Sequence, residues 1–204
     1  IDKRHKKLKM TSIMRDCYVH IPGHEDDRIN AAYAYSGPKL TMQTIERNFG
    51  VAVDRYALVD YDTFPQIIDQ LGGVQIKLEQ GEADLINQYS EEPNKAKRVK
   101  AGTNNLTGKQ ALYYARIRSY GNNDYQRTER QRNMLSSLIS KVKANPTMID
   151  GVLRKILPEI STNMQQSEIQ DLFWNALSYL NYPVSQFRIP VDGTFDDQQE
   201  IRGM

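Results

Sequence analysis

Between Phe64 and Leu78 the chain changes its hydrophobic period, and that change constrains the fold more than any other feature. Phe64, Ile67, Ile68 and Leu71 recur at helical spacing, Gly72-Gly73 stops the helix, and Val74, Ile76 and Leu78 then alternate as a strand. Upstream, Arg55-Tyr56-Ala57-Leu58-Val59 reads as a strand apolar on both faces, of the kind buried between helices. Strand, helix and strand in that order form a β-α-β unit, which makes at least part of the sheet parallel. The expected fold is therefore α/β, a single domain over 1–204 with a mixed, partly parallel central sheet flanked by helices. With 204 residues, 39% of them hydrophobic, the chain can bury one substantial core.

The remaining elements follow from the same rules. Ile1 to Lys9 is basic and is expected to form a solvated hairpin tip leading into a strand over Leu8 to Met14. Arg15-Asp16 at the end of that strand is either a ligand-facing pair or a local ion pair. Cys17 to Ile21 is a second extended piece, and Arg28 to Tyr35 is a short helix or loop. A helix from about Pro38 carries Met42, Ile45 and Phe49 on one face and stops at Gly50. Glu79 to Asn105 is polar and reads as a surface excursion with a short helix near Ala83 to Tyr89, a candidate lid or acceptor-binding edge. Thr107-x-x-Gln110 opens a short helix. Met148, Ile149, Val152, Leu153 and Ile156 mark a helix ended by Pro158. Ser167-x-x-Gln170 opens another, with Ile169, Leu172, Phe173, Ala176, Leu177 and Leu180 inward and Trp174 packing beside them. A last strand lies near Gln186 to Ile189.

Ala115 to Arg132 gathers arginines and no lysine. Guanidinium is the cation suited to forked hydrogen bonding of phosphate or carboxylate oxygens, so this stretch points to an anion site. Arg116 and Arg118 flank Ile117 in what reads as a short strand, which puts both on one face. After Gly121-Asn122-Asn123 a helix begins, with Met134, Leu135, Leu138, Ile139 and Val142 as its apolar stripe. Traced backward, the stripe passes through Gln131 and Arg127. Arg130 and Arg132 are read as surface. Asp124 or Thr128 caps the helix, Thr128-x-x-Gln131 fitting the capping pattern, and an anion there would meet free backbone N–H groups.

Composition narrows the partners. A net charge of +2 and a pI near 8.5 suit a local anion cluster and give no case for nucleic acid by charge balance alone. The single Cys17 excludes an internal disulfide, and His5, His20 and His24 lack the spacing of a helical metal pair. No run approaches the roughly 20 apolar residues of a membrane span. The chain opens inside a charged run rather than at a methionine, so it is expected to be a fragment. The competing class is a non-catalytic binder of anionic polymer or nucleic acid, whose affinity would fall steeply with salt.

Five ordered motifs resemble one family. Ser12-Ile13-Met14-Arg15-Asp16, Arg28-Ile29-Asn30-Ala31-Ala32-Tyr33-Ala34-Tyr35, Asp69-Gln70-Leu71-Gly72-Gly73-Val74, Leu106 to Leu112 with Tyr114 to Arg118, and Asp124 with Arg127 to Gln131 occur in the order typical of LytR-CpsA-Psr proteins. The resemblance implies a membrane-anchored enzyme on the extracytoplasmic face of a Gram-positive cell membrane, held through an N-terminal anchor. It would be a phosphotransferase or ligase-type transferase moving an anionic glycopolymer such as teichoic acid or capsule from undecaprenyl pyrophosphate to peptidoglycan, with hydrolytic release of the lipid in some members. The implied step is displacement at the sugar carbon bonded to pyrophosphate. The resemblance also implies an apolar cleft for the polyprenyl tail. Arg15, Arg116, Arg118, Arg127 and Gln131 are the implied pyrophosphate contacts, with Asp124 orienting the arginines, and Arg15, Asp16 and Asp124 are the implied catalytic set. Mg2+ is the implied cofactor, its aspartate ligands expected upstream of Ile1. Met14 departs from the family pattern, which has proline there.

Overall fold

The computed structural model describes residues 1–90, 97–121, 123–148, 151, 154, 157–191 and 193–195. In chain order the elements are β1 (Leu8–Ile13), β2 (Tyr18–Val19), β3 (Asp27–Arg28), α1 (Ile29–Phe49), β4 (Ala57–Leu58), α2 (Thr63–Gln70), β5 (Val74–Leu78), α3 (Gln80–Ser90), β6 (Gly102–Leu106), α4 (Gly108–Arg116), α5 (Asn123–Ala144), β7 (Ser161–Thr162), α6 (Gln166–Leu180) and β8 (Val184–Ile189). The fold is mixed α/β. β1 pairs with β8. Leu8 N–H donates to the Pro183 carbonyl and Met14 N–H to that of Ile189, an equal step along both strands, so this pair is parallel. The pairs β2–β3, β4–β7 and β5–β6 are antiparallel. The parallel element is thus not the expected neighbour pair around α2, because β5 finds its described partner in β6.

The chain packs as two compact units. The first comprises residues 1–9 and 55–185. Its core joins Ile68 of α2, Val74 and Ile76 of β5, Ile86 of α3, Leu106, Tyr114 of α4 and Met134 of α5. β5 alternates as expected, with Val74, Ile76 and Leu78 buried and Gln75 and Lys77 exposed. The strand β6 within the polar excursion went unread, because Gly-Thr-Asn-Asn-Leu carries one fully buried side chain, Leu106, and no apolar alternation. α4 opens with the expected capping box: Gln110 N–H donates to Thr107 Oγ1 and Thr107 N–H to Gln110 Oε1. β4 is short and exposed rather than buried on both faces. α6 is opened by Gln165 and Glu168 instead of Ser167 and Gln170. Trp174 on α6 is 78% exposed, so it is not a core residue. Leu177's side chain, and most of the helix expected over Met148 to Ile156, lie outside the described residues.

The second unit comprises residues 10–54 and 186–204. Val19, Ile21, Ile29, Ala32 and Leu40 form its core, with Phe49 packed against it. α1 bends at Ser36-Gly37, where Gly37 takes φ +64° just before Pro38, and it ends at Gly50 in the left-handed region. The two helical pieces read from sequence are these two arms. Among the described residues no helix is long and apolar enough to cross a membrane.

Candidate functional site

The arginine stretch lies in the first unit. Arg116 is the last residue of α4, not part of a strand, and Ile117 caps the helix with φ −55° and ψ 125°. The inside–outside alternation survives without a strand: Ile117 is 2% exposed, while Arg116 and Arg118 point to solvent. Burial of Ile117 therefore sets the direction of both guanidinium groups. α5 begins at Asn123, which puts Asp124 in its first turn, where a carboxylate is favoured by the helix dipole. Thr128 is not a cap. It sits in the second turn, and its hydroxyl donates to the Tyr125 carbonyl at 2.8 Å.

Asp124 gathers the arginines. Its Oδ1 lies 2.9 Å from Arg127 Nη1 and 3.5 Å from Arg118 Nε, with side-chain exposures of 17%, 11% and 51% for Asp124, Arg127 and Arg118. One carboxylate thus faces two guanidinium groups, leaving a net positive charge whose exposed member is Arg118. Gln131 Nε2 donates to the Ala115 carbonyl at 3.3 Å, joining α5 to the end of α4. Arg116 Cζ lies 4.8 Å from the centroid of the Tyr61 ring. In the second unit, Arg15 Nε donates to Asp16 Oδ2 at 3.2 Å, and Arg28 Nη1 lies 3.8 Å from Asp16 Oδ1. Arg15 and Asp16 form a local ion pair, and both side chains stay open to solvent at 39% and 43% exposure.

Arg130 is a correction. It is 3% exposed rather than a surface residue. Its Nε donates to Glu82 Oε1 at 2.6 Å, its Nη1 to the Ile117 carbonyl, and its Nη2 to the Tyr120 carbonyl and Gln126 Oε1. Glu82 in turn accepts from Glu79 N–H at 3.0 Å. Arg130 lies four residues before buried Met134, so helical geometry puts it on the core stripe. That spacing was the available signal. The buried pair fixes the segment that carries Arg118. Tyr120 is held too, its hydroxyl donating to Glu79 Oε2 at 2.9 Å and its ring lying against Gly81, where a Cβ would overlap it. Nearby, burial first and the Glu82 charge second push the Tyr114 hydroxyl up to about 12, so it stays neutral.

Among the described residues, no three His, Cys, Asp or Glu side chains come together as a metal-ligand group. Asp124, the partly buried acid of the cluster, is faced by two arginines. These residues do not fit a magnesium site. His5 pairs with Asp2, His20 with Asp26, and His24 stacks on Tyr35, all at the surface.

The profile of the LytR_cpsA_psr family matches residues 1–202. The chain belongs to the LytR-CpsA-Psr family. The regulatory protein MsrR of Staphylococcus aureus strain Mu50 is 33% identical over 202 residues, covering 94% of this chain and 57% of MsrR. The polyisoprenyl-teichoic acid–peptidoglycan teichoic acid transferase TagT of Bacillus subtilis strain 168 is 35% identical over 175 residues, covering 84% of this chain and 53% of TagT. This LytR-CpsA-Psr chain therefore spans somewhat over half the length of the curated relatives it matches. A solved structure of TagT with bound octaprenyl pyrophosphate superposes with a TM-score of 0.73 at 26% identity, over 92% of this chain and 68% of the other. That superposition shows the shared fold.

Proposed function

We propose that this LytR-CpsA-Psr chain binds a polyprenyl pyrophosphate carrying an anionic glycopolymer and takes part in transferring that polymer to peptidoglycan, at the outer face of the cell membrane. The observation that carries the reading is the Arg118–Asp124–Arg127 cluster, in which two guanidinium groups converge on one carboxylate and one of them remains half exposed. The lipid held by TagT and the transfer named for it support the choice of ligand and reaction. Arg116, Arg118, Arg127 and Gln131 of the first unit are the proposed pyrophosphate contacts; Arg15, which lies in the second unit, is proposed as an anion contact by its motif alone. Asp124 is proposed as the acid that holds the first unit's arginines in place, and Arg15 and Asp16 of the second unit are proposed as catalytic from their motif alone.

When the bond between polymer and carrier breaks, negative charge gathers on the departing phosphate. Guanidinium groups already fixed by Asp124 and by the buried Arg130–Glu82 pair meet that charge without reorganising, which lowers the barrier more than it tightens substrate binding. No step is carried through magnesium.

The test is binding of octaprenyl pyrophosphate beside the matching polyprenyl alcohol and a duplex DNA at moderate salt. Selective binding of the pyrophosphate, weakened about tenfold or more by Arg118→Ala, is expected, since a hydrogen bond to a charged group contributes about 1.5–3 kcal/mol. Equal binding of the alcohol, preference for DNA, or no lipid binding would remove the reading.

A further inference from the structure

Tyr61 is a large aromatic residue left 67% exposed, yet it is not loose. It sits in the turn entering α2. Asp60 Oδ1 accepts from Asp62 N–H at 3.1 Å and from Thr63 N–H at 2.7 Å, and Phe64 N–H donates to the Asp60 carbonyl at 3.1 Å. Those bonds close the backbone on both sides of Tyr61. They also hold the Asp60 carboxyl below its ordinary range, the Thr63 backbone hydrogen bond being the largest cause.

Arg116 is anchored just as firmly at its backbone, as the last residue of α4 beside buried Ile117. α2 and α4 are registered against each other. Gly108 N–H donates to Asp69 Oδ1 at 2.7 Å, and Gly108 lies so close to the Pro65 carbonyl that a Cβ would overlap it. The turn holding Tyr61 and the end of α4 holding Arg116 are thereby brought face to face. No carboxylate among the described residues pairs with Arg116, and its guanidinium rests on the Tyr61 ring.

We infer that Tyr61 positions Arg116, using its ring as a platform that holds the guanidinium ready for phosphate oxygens without neutralising it. The inference rests on the pyrophosphate reading above. A carboxylate partner would hold the arginine equally well but would cancel its charge and compete with the ligand. An aromatic face attracts the cation and leaves its N–H donors, which lie in the guanidinium plane, free to point outward. Without the ring, an exposed arginine spreads over many rotamers and must be ordered when the ligand arrives.

The experiment measures octaprenyl pyrophosphate binding by the whole chain as wild type, Tyr61→Phe, Tyr61→Leu, Arg116→Ala, and Tyr61→Leu with Arg116→Ala, with thermal melting as the check on folding. Tyr61→Leu is expected to weaken binding about three- to tenfold, and Tyr61→Phe, which keeps the ring, by less than about twofold. In the Arg116→Ala background Tyr61→Leu should add nothing, because the ring acts through that arginine. Full-strength binding by Tyr61→Leu, or an undiminished loss in the Arg116→Ala background, overturns the role. Arg118→Ala separates the two levels of argument: if it weakens binding while Tyr61→Leu does not, the Tyr61 inference alone fails. If neither substitution matters, the pyrophosphate site itself fails.

Discussion

Arg130 and Arg118 stand twelve positions apart in the chain's arginine stretch and do opposite work. Arg130 is sealed against Glu82, with side-chain exposures of 4% and 9%, and its other donors go to Ile117, Tyr120 and Gln126. Removing one partner of a buried pair leaves the other charge uncompensated. Arg130→Met should therefore destabilise the protein by about 3–5 kcal/mol in denaturant unfolding, and adding Glu82→Leu should restore much of that loss. No recovery in the double variant would mean that the hydrogen bonds to the 117–120 carbonyls matter more than the ion pair. Arg118 is half exposed and bonds to little besides Asp124. On the proposed function, its replacement by alanine should leave melting unchanged while transfer by the full-length enzyme falls about a hundredfold, the usual cost of one donor to developing negative charge. Turnover equal to wild type would take Arg118 out of the mechanism. Arg127, at 11% side-chain exposure, is the less clean test, since its loss also takes the 2.9 Å cation from the partly buried Asp124 carboxylate.

The element that most governs the site is the pair of helices α2 and α4. Phe64, Ile68 and Leu71 give α2 its buried face, and Gly72 and Gly73, at φ +72° and +84°, turn the chain into β5. At the other end of the contact, Gly108 starts α4 directly against the Pro65 carbonyl, and Asp69 accepts its N–H. Backbone cannot yield there as a flexible side-chain tip would. Gly108→Ala is expected to destabilise by about 1–3 kcal/mol or more and, on the proposed function, to weaken polyprenyl pyrophosphate binding because Arg116 rides on the same helix. A melt unchanged by Gly108→Ala would show that the helices can slide apart at no cost. The helix α5 makes a related point. Its stripe runs through Arg127, Arg130, Met134 and Leu138, so the polar residues at its start continue the buried face, and Leu135, assigned to the stripe by residue type, is 47% exposed.

Across the whole molecule, the resolved carboxyl shifts point one way. Asp2, Asp27, Asp60 and Glu168 are all held below their ordinary ranges by hydrogen bonds, in Glu168 first from the Arg55 guanidinium and then from Gln165 N–H. A carboxyl lowered in the folded state contributes fully above its unfolded value, about 3.9 for Asp and 4.3 for Glu, and loses that contribution as pH falls through the folded value. Stability should accordingly hold above about pH 5 and decline below about pH 4, with Glu168→Gln flattening part of the acid limb. An acid limb unchanged by that substitution would show that the Arg55 pair adds nothing across it. The sequence by itself determined what repeats locally: the α2–β5 period switch, the Thr107–Gln110 capping box, the Gly50 stop, and the choice of arginine in the 115–132 stretch. Ordered motifs also sufficed for the family, because glycine turns and capping residues are read within a few positions of one another. Tertiary structure alone decided which cations are buried and which are offered. Arg130 and Arg118 are chemically the same side chain, yet Glu82 arrives from α3 to neutralise the first, while Asp124 lies beside Arg118 and the Tyr61 ring beside Arg116. Partners 48 and 55 residues away, as Glu82 is from Arg130 and Tyr61 from Arg116, leave no local pattern, since nothing in the intervening chain needs to record which face of which element will meet.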